Sequence, residues 1–420
     1  MKEIEDLIKD IKELIQDTEK LINNNYYNQD LIEIIKKIEN TKNLDKYIEY
    51  IKSIKKRDKE IEQKEIEKNK NKNKNKTNCI REAYSKEKGY NNITVGDIDN
   101  GKYLIENNKE SIKNLLKDIK KLKLELELEK INKNTIYFGA PGTGKSYKIK
   151  EIENSSNEIY SEKNIFRTTF HEAYSYSDFL GQYKPRMNGK DIEYSYCEGI
   201  FLKAFIRALK NKDDYIFLII EEINRGNCAE IFGDVFQLLD RNEAGESIYG
   251  ISTSEDLKEF LKKNEIENIE KIKIPENLYI LATMNTSDQS LYPLDSAFKR
   301  RWEMEYIKID YNHEKIKDIK IMYKSGIEKK YKKCLKALNK IIVEETGSED
   351  KQMGQFFIKT DNNNIDYEDI KSKILQYLFF DVFKHKRDVF STPHFSELIL
   401  KDDFESCFND NCQSYFTNEI

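Results

Sequence analysis

Apolar residues recur along this chain with two different periods. In residues 1–66 they return every three or four positions, which is the spacing of amphipathic helices. The series begins with Ile4, Ile8, Ile11, Ile15 and Ile22. An asparagine-rich turn at 23–28 interrupts it, so this segment is predicted to form a helical hairpin or a coiled-coil-like arm.

The next stretch, 67–80, contains an Asn/Lys repeat and has no apolar face. This composition is typical of a flexible linker, although a run of lysines can also contact phosphates. Residues 81–133 are predicted to be a mainly helical connector. Near its end, leucines at 122–128 alternate with charged residues at period two. The pattern there leaves open whether the helix continues or an edge strand of a sheet begins.

From residue 134 the pattern changes to short apolar runs separated by polar loops and helical stretches, which is typical of an α/β domain with a parallel sheet. Strands are predicted at 136–138, 164–169, 215–220 and 278–283, and helices after the first strand, at 200–210 and at 229–241. After Tyr306 the pattern is mainly helical again to about residue 383. We therefore divide this part into an α/β core at 134–307 and a helical segment at 308–420.

A glycine-rich loop follows the first predicted strand. Residues 139–146 read Gly-Ala-Pro-Gly-Thr-Gly-Lys-Ser and fit G-x-x-x-x-G-K-[ST] at every position. Glycines let backbone N–H groups face phosphate oxygens, the lysine adds a charge, and the serine hydroxyl can bind Mg²⁺. A helix that starts near Lys145 would point its positive end at the same phosphates. The predicted nucleotide-binding residues are Gly139, Ala140, Pro141, Gly142, Thr143, Gly144, Lys145, Ser146 and Tyr147.

Two carboxylates follow the third predicted strand, at Glu221 and Glu222. Beside a phosphate loop, such a strand end supplies one carboxylate to Mg²⁺ and a second that orients and deprotonates the attacking water. We assign Glu221, with Ser146, to the metal and Glu222 to the role of base. Glu221 stands where Asp is more usual and is one methylene longer, so the metal can be held through a water instead of directly.

Polar residues after the fourth strand complete the candidate chemistry. Asn285 can hold the attacking water or sense the terminal phosphate, and the alternative is that it simply ends the strand. Arg300 and Arg301 close a short predicted helix. Guanidinium groups suit the charge on a transferred phosphoryl group, and one supplied by a neighbouring subunit would make hydrolysis depend on assembly. The predicted catalytic residues are Glu222, Asn285, Arg300 and Arg301.

The order of these motifs resembles a known family. The phosphate loop, 221–227, Met284-Asn285-Thr286 and 298–302 look like the AAA+ NTPases of the McrB type, in the dynein-related and MoxR-like branch. Two further blocks, 170–185 and 353–357, are similar to segments of that family. The resemblance covers about 134–383 and leaves out the N-terminal arm.

The resemblance implies an AAA+ core with a parallel sheet, a C-terminal helical lid, and Mg²⁺-dependent hydrolysis of ATP or GTP. It also implies a ring-shaped homo-oligomer that acts on DNA in restriction or anti-phage defence, with a separate nuclease subunit. Gln289 departs from the family's pattern, since the best-known members have Arg there, and Glu221 is the other departure. The nucleotide preference therefore stays open. A MoxR-like ATP-dependent protein remodeller and a slow nucleotide-binding switch or scaffold are the alternatives.

Composition narrows the class of protein. The 420 residues include 72 Lys and Arg and 76 Asp and Glu, mixed throughout, so no broad basic surface for nucleic acid is indicated. We find neither an apolar run near the ~20 residues of a membrane span nor a secretory signal, so a cytoplasmic protein without membrane partners is expected. The six cysteines lie far apart except for Cys407 and Cys412, and none has a zinc spacing, which favours free thiols.

Overall fold

The chain divides into two compact units, Met1–Lys130 and Ile131–Ile420. A computed structural model describes residues 120–121, 124–125, 127–128, 131–160, 162–188, 191–266, 270–288, 292–323, 326, 328–360 and 363–417. The predicted arm, the predicted linker and most of the predicted connector lie outside the described residues. Among the helices that are described, none combines the length and apolarity needed to cross a membrane.

The described residues between 120 and 128 are helical. Leu124 and Leu128 are buried, with 0% and 3% exposure. Residues four positions apart lie on the same face of a helix, which explains how both leucines are covered. The period-two alternation in this stretch therefore does not mark a strand at the described positions.

The strands of the second unit are mostly short. They are β1 (Asn134–Gly139), β2 (Ile165–Thr169), β3 (Gly181–Asn188), β4 (Asp191–Glu198), β5 (Ile216–Glu221), β6 (Ile251–Ser252), β7 (Lys271–Ile272), β8 (Leu278–Asn285), β9 (Glu303–Tyr306), β10 (Lys320–Met322), β11 (Glu328–Lys330) and β12 (Asn364–Asp366).

The helices of the same unit are α1 (Lys145–Tyr160), α2 (Tyr176–Phe179), α3 (Ile200–Lys210), α4 (Cys228–Phe232), α5 (Glu255–Lys263), α6 (Ser296–Lys299), α7 (Glu314–Lys317), α8 (Tyr331–Thr346), α9 (Tyr367–Asp369), α10 (Phe395–Leu398) and α11 (Asp410–Thr417). Two π-helical segments, Ile370–Leu375 and Leu378–Val382, follow α9. Short 3₁₀ segments include Ile223–Arg225, Gly233–Leu239 and Thr286–Asp288.

The central sheet has five strands in the order β2-β5-β8-β1-β9, and every neighbouring pair is parallel. The four strands predicted from the apolar runs are all present. Residues 216–220 of β5 are at most 1% exposed, as expected for a strand covered on both faces. The edge strand β9 escaped prediction because its sequence, Glu-Met-Glu-Tyr, carries charges at alternate positions.

The predicted helix at 229–241 is instead α4 followed by a 3₁₀ segment. The break falls at Gly233, whose φ of +47° lies in the left-handed region. A Cβ atom there would lie 2.8 Å from the ring of Tyr176, so both the backbone angle and the space favour glycine. The prediction of one continuous helix was wrong at this position.

The C-terminal part, which we define as residues 308–417, has its own hydrophobic cluster. Leu335, Leu338, Ile341 and Ile342 of α8 lie in it and are at most 1% exposed. This part also contains a small sheet in the order β11-β10-β12, which the sequence pattern did not predict. Each of these strands has three residues, which is too short to show a period.

Candidate active site

Apart from the two arginines, the predicted site residues of the core meet at the edge of the central sheet that is formed by the carboxyl ends of its strands. β8 lies between β1 and β5. In the parallel register Gly139 is beside Asn285, and Ile220 is beside Ala282. The phosphate loop (residues 139–146), the Glu221-Glu222 pair and Asn285 therefore follow adjacent strand ends, where ligands bind in open parallel sheets.

The phosphate loop is closed by its own polar groups. Gly142 and Gly144 have φ of +78° and +96°, values that L side chains rarely adopt. The Lys145 ammonium donates to the carbonyl oxygens of Gly139 at 3.1 Å and Ala140 at 2.8 Å, and the residue is 6% exposed. The Thr143 hydroxyl also donates to Ala140 O, at 3.0 Å. The loop therefore curls around the side chain of Lys145.

Helix α1 starts at the last two residues of this loop. Its first backbone hydrogen bond runs from Lys148 N to Gly144 O at 3.0 Å, so the preceding N–H groups have no helical acceptor. Ser146 and Tyr147 are exposed in the first turn. The ammonium of Lys315 lies 4.5 Å from the centre of the Tyr147 ring. The positive end of α1 therefore faces the loop, as an anion site requires.

Glu221 accepts hydrogen bonds from three directions. The Ser146 hydroxyl donates to its Oε2 at 3.0 Å, and the Thr283 hydroxyl donates to the same oxygen. The guanidinium of Arg167 binds Oε1. A hydroxyl oxygen and a carboxylate oxygen lie 3.0 Å apart at the end of the loop. Both are hard oxygen ligands, the type that Mg²⁺ prefers. Ser146 and Glu221 therefore fit the predicted metal site in chemistry and in position.

Glu222 has a strained backbone and a fixed side chain. Its φ of 53° and ψ of 49° lie in the left-handed region, which is uncommon for a residue with a side chain. The side-chain amide of Asn285 donates to both carboxylate oxygens, at 2.8 and 2.9 Å. Arg225 Nε lies 3.8 Å from Oε2. Asn285 thus does more than end strand β8, because its amide binds the carboxylate of the predicted base.

Comparison with known proteins identifies the family. Residues 134–302 match the model of the AAA domain (dynein-related subfamily). The type II restriction enzyme BsuMI component YdiS of Bacillus subtilis (strain 168) is 38% identical over 308 residues, which are 66% of this chain and 87% of that protein. The chain belongs to the AAA+ NTPases of the McrB type. It is therefore a P-loop nucleoside triphosphatase with an α/β core.

A second relative supports the assignment over a shorter range. The type IV methyl-directed restriction enzyme EcoKMcrB subunit of Escherichia coli (strain K12) is 31% identical over 172 residues, which are 41% of this chain and 34% of that subunit. Among solved structures, the extended S. cerevisiae Hsp104:casein complex matches 64% of this chain and 46% of that chain at 13% identity. Its TM-score of 0.27 is too low to support an argument.

Arg167 of this McrB-type core was missed by the sequence analysis. It lies in β2 between Glu153 and Glu221, with its Nη2 2.6 Å from Glu153 Oε2. Burial lowers the pKa of Arg167, but the hydrogen bonds and charges of the two carboxylates outweigh burial and raise it. A single arginine inside an otherwise apolar and Thr-rich strand was the available signal.

Thr283 links the carboxylate of Glu221 to the backbone of Glu222 and was also missed as a site residue. Its buried hydroxyl accepts a hydrogen bond from Glu222 N at 3.2 Å and donates to Glu221. The Asn224 amide adds a brace by donating to Asn285 O at 3.1 Å. The left-handed turn at Glu222 is therefore held by the neighbouring strand β8.

Replacing Thr283 with Val is expected to lower kcat about tenfold to a hundredfold, since a lost buried hydrogen bond costs about 1–3 kcal/mol. Nucleotide affinity should change less than about twofold, because the phosphate loop is untouched. Thr283→Ser keeps the hydroxyl and should restore kcat. Wild-type kcat in Thr283→Val, or a Ser variant as slow as Val, would contradict this role.

The two predicted arginines are not near this edge of the sheet. Asn134, the first residue of β1, donates through its amide to Arg301 O at 3.2 Å. The other end of β1, where the phosphate loop starts, is about 17 Å away at ~3.3 Å per residue. A catalytic role for either arginine therefore remains a prediction, and in this geometry it requires the site of another subunit.

Arg300 and Arg301 differ in their surroundings. Arg301 pairs with Asp240, its Nη2 lying 2.8 Å from Oδ2, and its side chain is 9% exposed. Its guanidinium also stacks 4.1 Å from the centre of the Phe236 ring. Arg300 is exposed, and within the described part of the chain no ion-pair partner is found for it. Arg300 is therefore the better candidate to reach a neighbouring subunit.

Gln289, the position at which the family's pattern has Arg, lies outside the described residues.

Proposed function

We propose that this chain is the nucleotide-hydrolysing motor subunit of a DNA restriction or anti-phage defence system. The observation that carries the proposal is the 38% identity that extends over 87% of a restriction enzyme component. A second restriction enzyme subunit matches the core at 31%. The motifs found in this chain account for nucleotide chemistry alone, so DNA cleavage is assigned to a separate nuclease subunit.

The proposed substrate is a purine nucleoside triphosphate, ATP or GTP. Its phosphates would lie against the N–H groups of the phosphate loop and the start of α1. Lys145 would exchange its loop carbonyl acceptors for phosphate oxygens, which offer a stronger charge-assisted bond. Ser146 and Glu221 would hold Mg²⁺, which when bound neutralises charge on the phosphates.

In the proposed hydrolysis, Glu222 accepts a proton from the water that attacks the γ-phosphorus. The bond from that phosphorus to the β–γ bridging oxygen breaks, and the nucleoside diphosphate leaves. Asn285 holds the Glu222 carboxylate in place through both oxygens. Because the arginines lie at the other edge of the sheet, charge on the transferred group would be met by Arg300 of the next subunit in a homo-oligomeric ring.

A restriction assay tests this function. Cells that carry the chain together with its adjacent genes should reduce phage plating and the uptake of suitably modified plasmid DNA, and Lys145→Ala should abolish both effects. The matched control is Lys150→Ala, an exposed lysine on the same helix α1, which should restrict like wild type. Hydrolysis in vitro with no restriction in either measurement would overturn the proposal and favour protein remodelling.

A further inference from the structure

The back of the phosphate loop is covered by residues 353–357, a segment that the family resemblance singled out without giving it a role. Gly354 N donates to Pro141 O at 2.8 Å, and Phe356 N donates to Gly142 O at 2.8 Å. The side-chain amide of Gln355 donates to Thr143 O at 3.0 Å. Three successive carbonyl oxygens of the loop are thus bound by three successive residues of the C-terminal part.

Gln355 uses both ends of its amide. Its Nε2 donates to the phosphate loop, and its Oε1 accepts from Asp310 N at 3.1 Å, just after the last strand of the core. The residue is 4% exposed. A buried amide with both ends bonded is costly to disturb, because any replacement leaves a buried backbone group without its partner.

The backbone contact between the two segments is close. A Cβ atom on Gly354 would overlap the carbonyl group of Gly142 and the nitrogen of Thr143. A Cβ atom on Gly142 would lie 2.6 Å from Phe357 N. Two glycines therefore face each other, and neither position has room for a side chain. The contact requires the glycine in both motifs.

The segment is anchored from behind by α8. Asn339 of α8 is 1% exposed, and its amide donates to Met353 O at 2.8 Å and accepts from Met353 N at 2.8 Å. Met353 itself is fully buried in the C-terminal cluster. A continuous line of hydrogen bonds thus joins α8, Met353, the 354–356 backbone and the phosphate loop.

The direction of these bonds bears on nucleotide binding. In a planar trans peptide the C=O and the next N–H point in opposite directions. Fixing the carbonyls of residues 141–143 therefore fixes the N–H groups of residues 142–144 on the other side of the loop. Those N–H groups form the anion-binding side of a phosphate loop.

We propose that residues 354–356 form a clamp that holds the phosphate loop in its anion-binding shape, with Gln355 as a positioning residue for the nucleotide. Gln355 acts through the loop and does not touch the nucleotide. The inference rests on the proposed use of residues 139–147 as the nucleotide site. It links nucleotide affinity to the hydrophobic cluster of the C-terminal part.

The test is titration of the full-length protein with fluorescent mant-ATP and mant-GTP. Gln355→Leu should raise the Kd about tenfold, the equivalent of one lost buried hydrogen bond. KM should rise by a similar factor, while kcat changes less than about threefold, because the carboxylates stay in place. Gln355→Asn, whose amide is too short to reach both partners, should show the same split if the Leu variant fails to fold. Gln352→Leu is the matched control and should bind like wild type.

Wild-type Kd in Gln355→Leu or in Gln355→Asn would overturn the clamp and leave the proposed function standing. A fall of kcat of about the same size, with unchanged KM, would also overturn the clamp, since that pattern would place Gln355 in the chemical step. Lys145→Ala separates a failure of the clamp from a failure of the proposed nucleotide site. If wild type and Lys145→Ala bind both probes equally, the nucleotide site itself is misplaced and the clamp falls with it.

Discussion

Replacing Glu222 with Gln is expected to lower the rate of nucleotide hydrolysis ~10²-fold or more while nucleotide still binds. An amide cannot accept the proton of the attacking water, whereas the size of the side chain is kept and its one carbonyl oxygen can still accept a hydrogen bond from Asn285. The strained turn at Glu222 is also kept, because its N–H still bonds to Thr283. Single-turnover hydrolysis and equilibrium binding of the same preparation measure the two quantities.

Glu230→Gln is the matched control for this experiment. Glu230 is exposed on α4, eight positions further along, and bonds only to the nearby Asn227 amide at 3.3 Å among the contacts described. It should hydrolyse nucleotide at the wild-type rate. Turnover by Glu222→Gln equal to wild type would show that another group is the base.

Arg300→Ala is expected to reduce hydrolysis about 10³-fold, the lower end of the effect of an arginine that stabilises a transferred phosphoryl group. Because the phosphate loop and Arg300 lie at opposite edges of the sheet, the loss should be repairable in mixtures. A Lys145→Ala subunit keeps Arg300 and can supply it to a neighbour that has an intact loop. Mixing the two inactive variants should therefore restore part of the activity.

Arg301→Ala serves as the contrast. It leaves Asp240 without its ion-pair partner in a partly buried site, so it should lower the melting temperature, with less effect on the hydrolysis rate per folded subunit.

Specific activity should also rise with protein concentration as subunits assemble. A monomer whose rate is strictly proportional to concentration, and mixtures that stay inactive, would contradict an arginine acting between subunits.

The parts of the site that could be read from sequence are those encoded by adjacent residues. The phosphate loop is one uninterrupted motif, and Glu221-Glu222 ends the most apolar run of the core. Asn285 could be placed because it ends a second, largely apolar run. The order of motifs was enough for the family, which the comparisons confirm.

The residues that were missed act across long separations in the chain. Gln355 contacts Thr143 from 212 positions away, and Thr283 contacts Glu221 from 62 positions away. Neither residue has a local pattern that announces a partner. The hairpin of β3 and β4 was missed because its sequence has no continuous apolar run like those of the central sheet, and its Met187 and Ile192 are 68% and 65% exposed.

The left-handed backbone of Glu222 also affects how this protein would respond to selection for stability. For a residue with a side chain this conformation costs about 1–2 kcal/mol, and glycine avoids most of that cost. Asparagine also tolerates it better than glutamate does. A thermostability screen that ignored turnover would thus tend to accept Gly or Asn at position 222. If Glu222 is the base, as proposed, fold stability and activity favour different amino acids at this position.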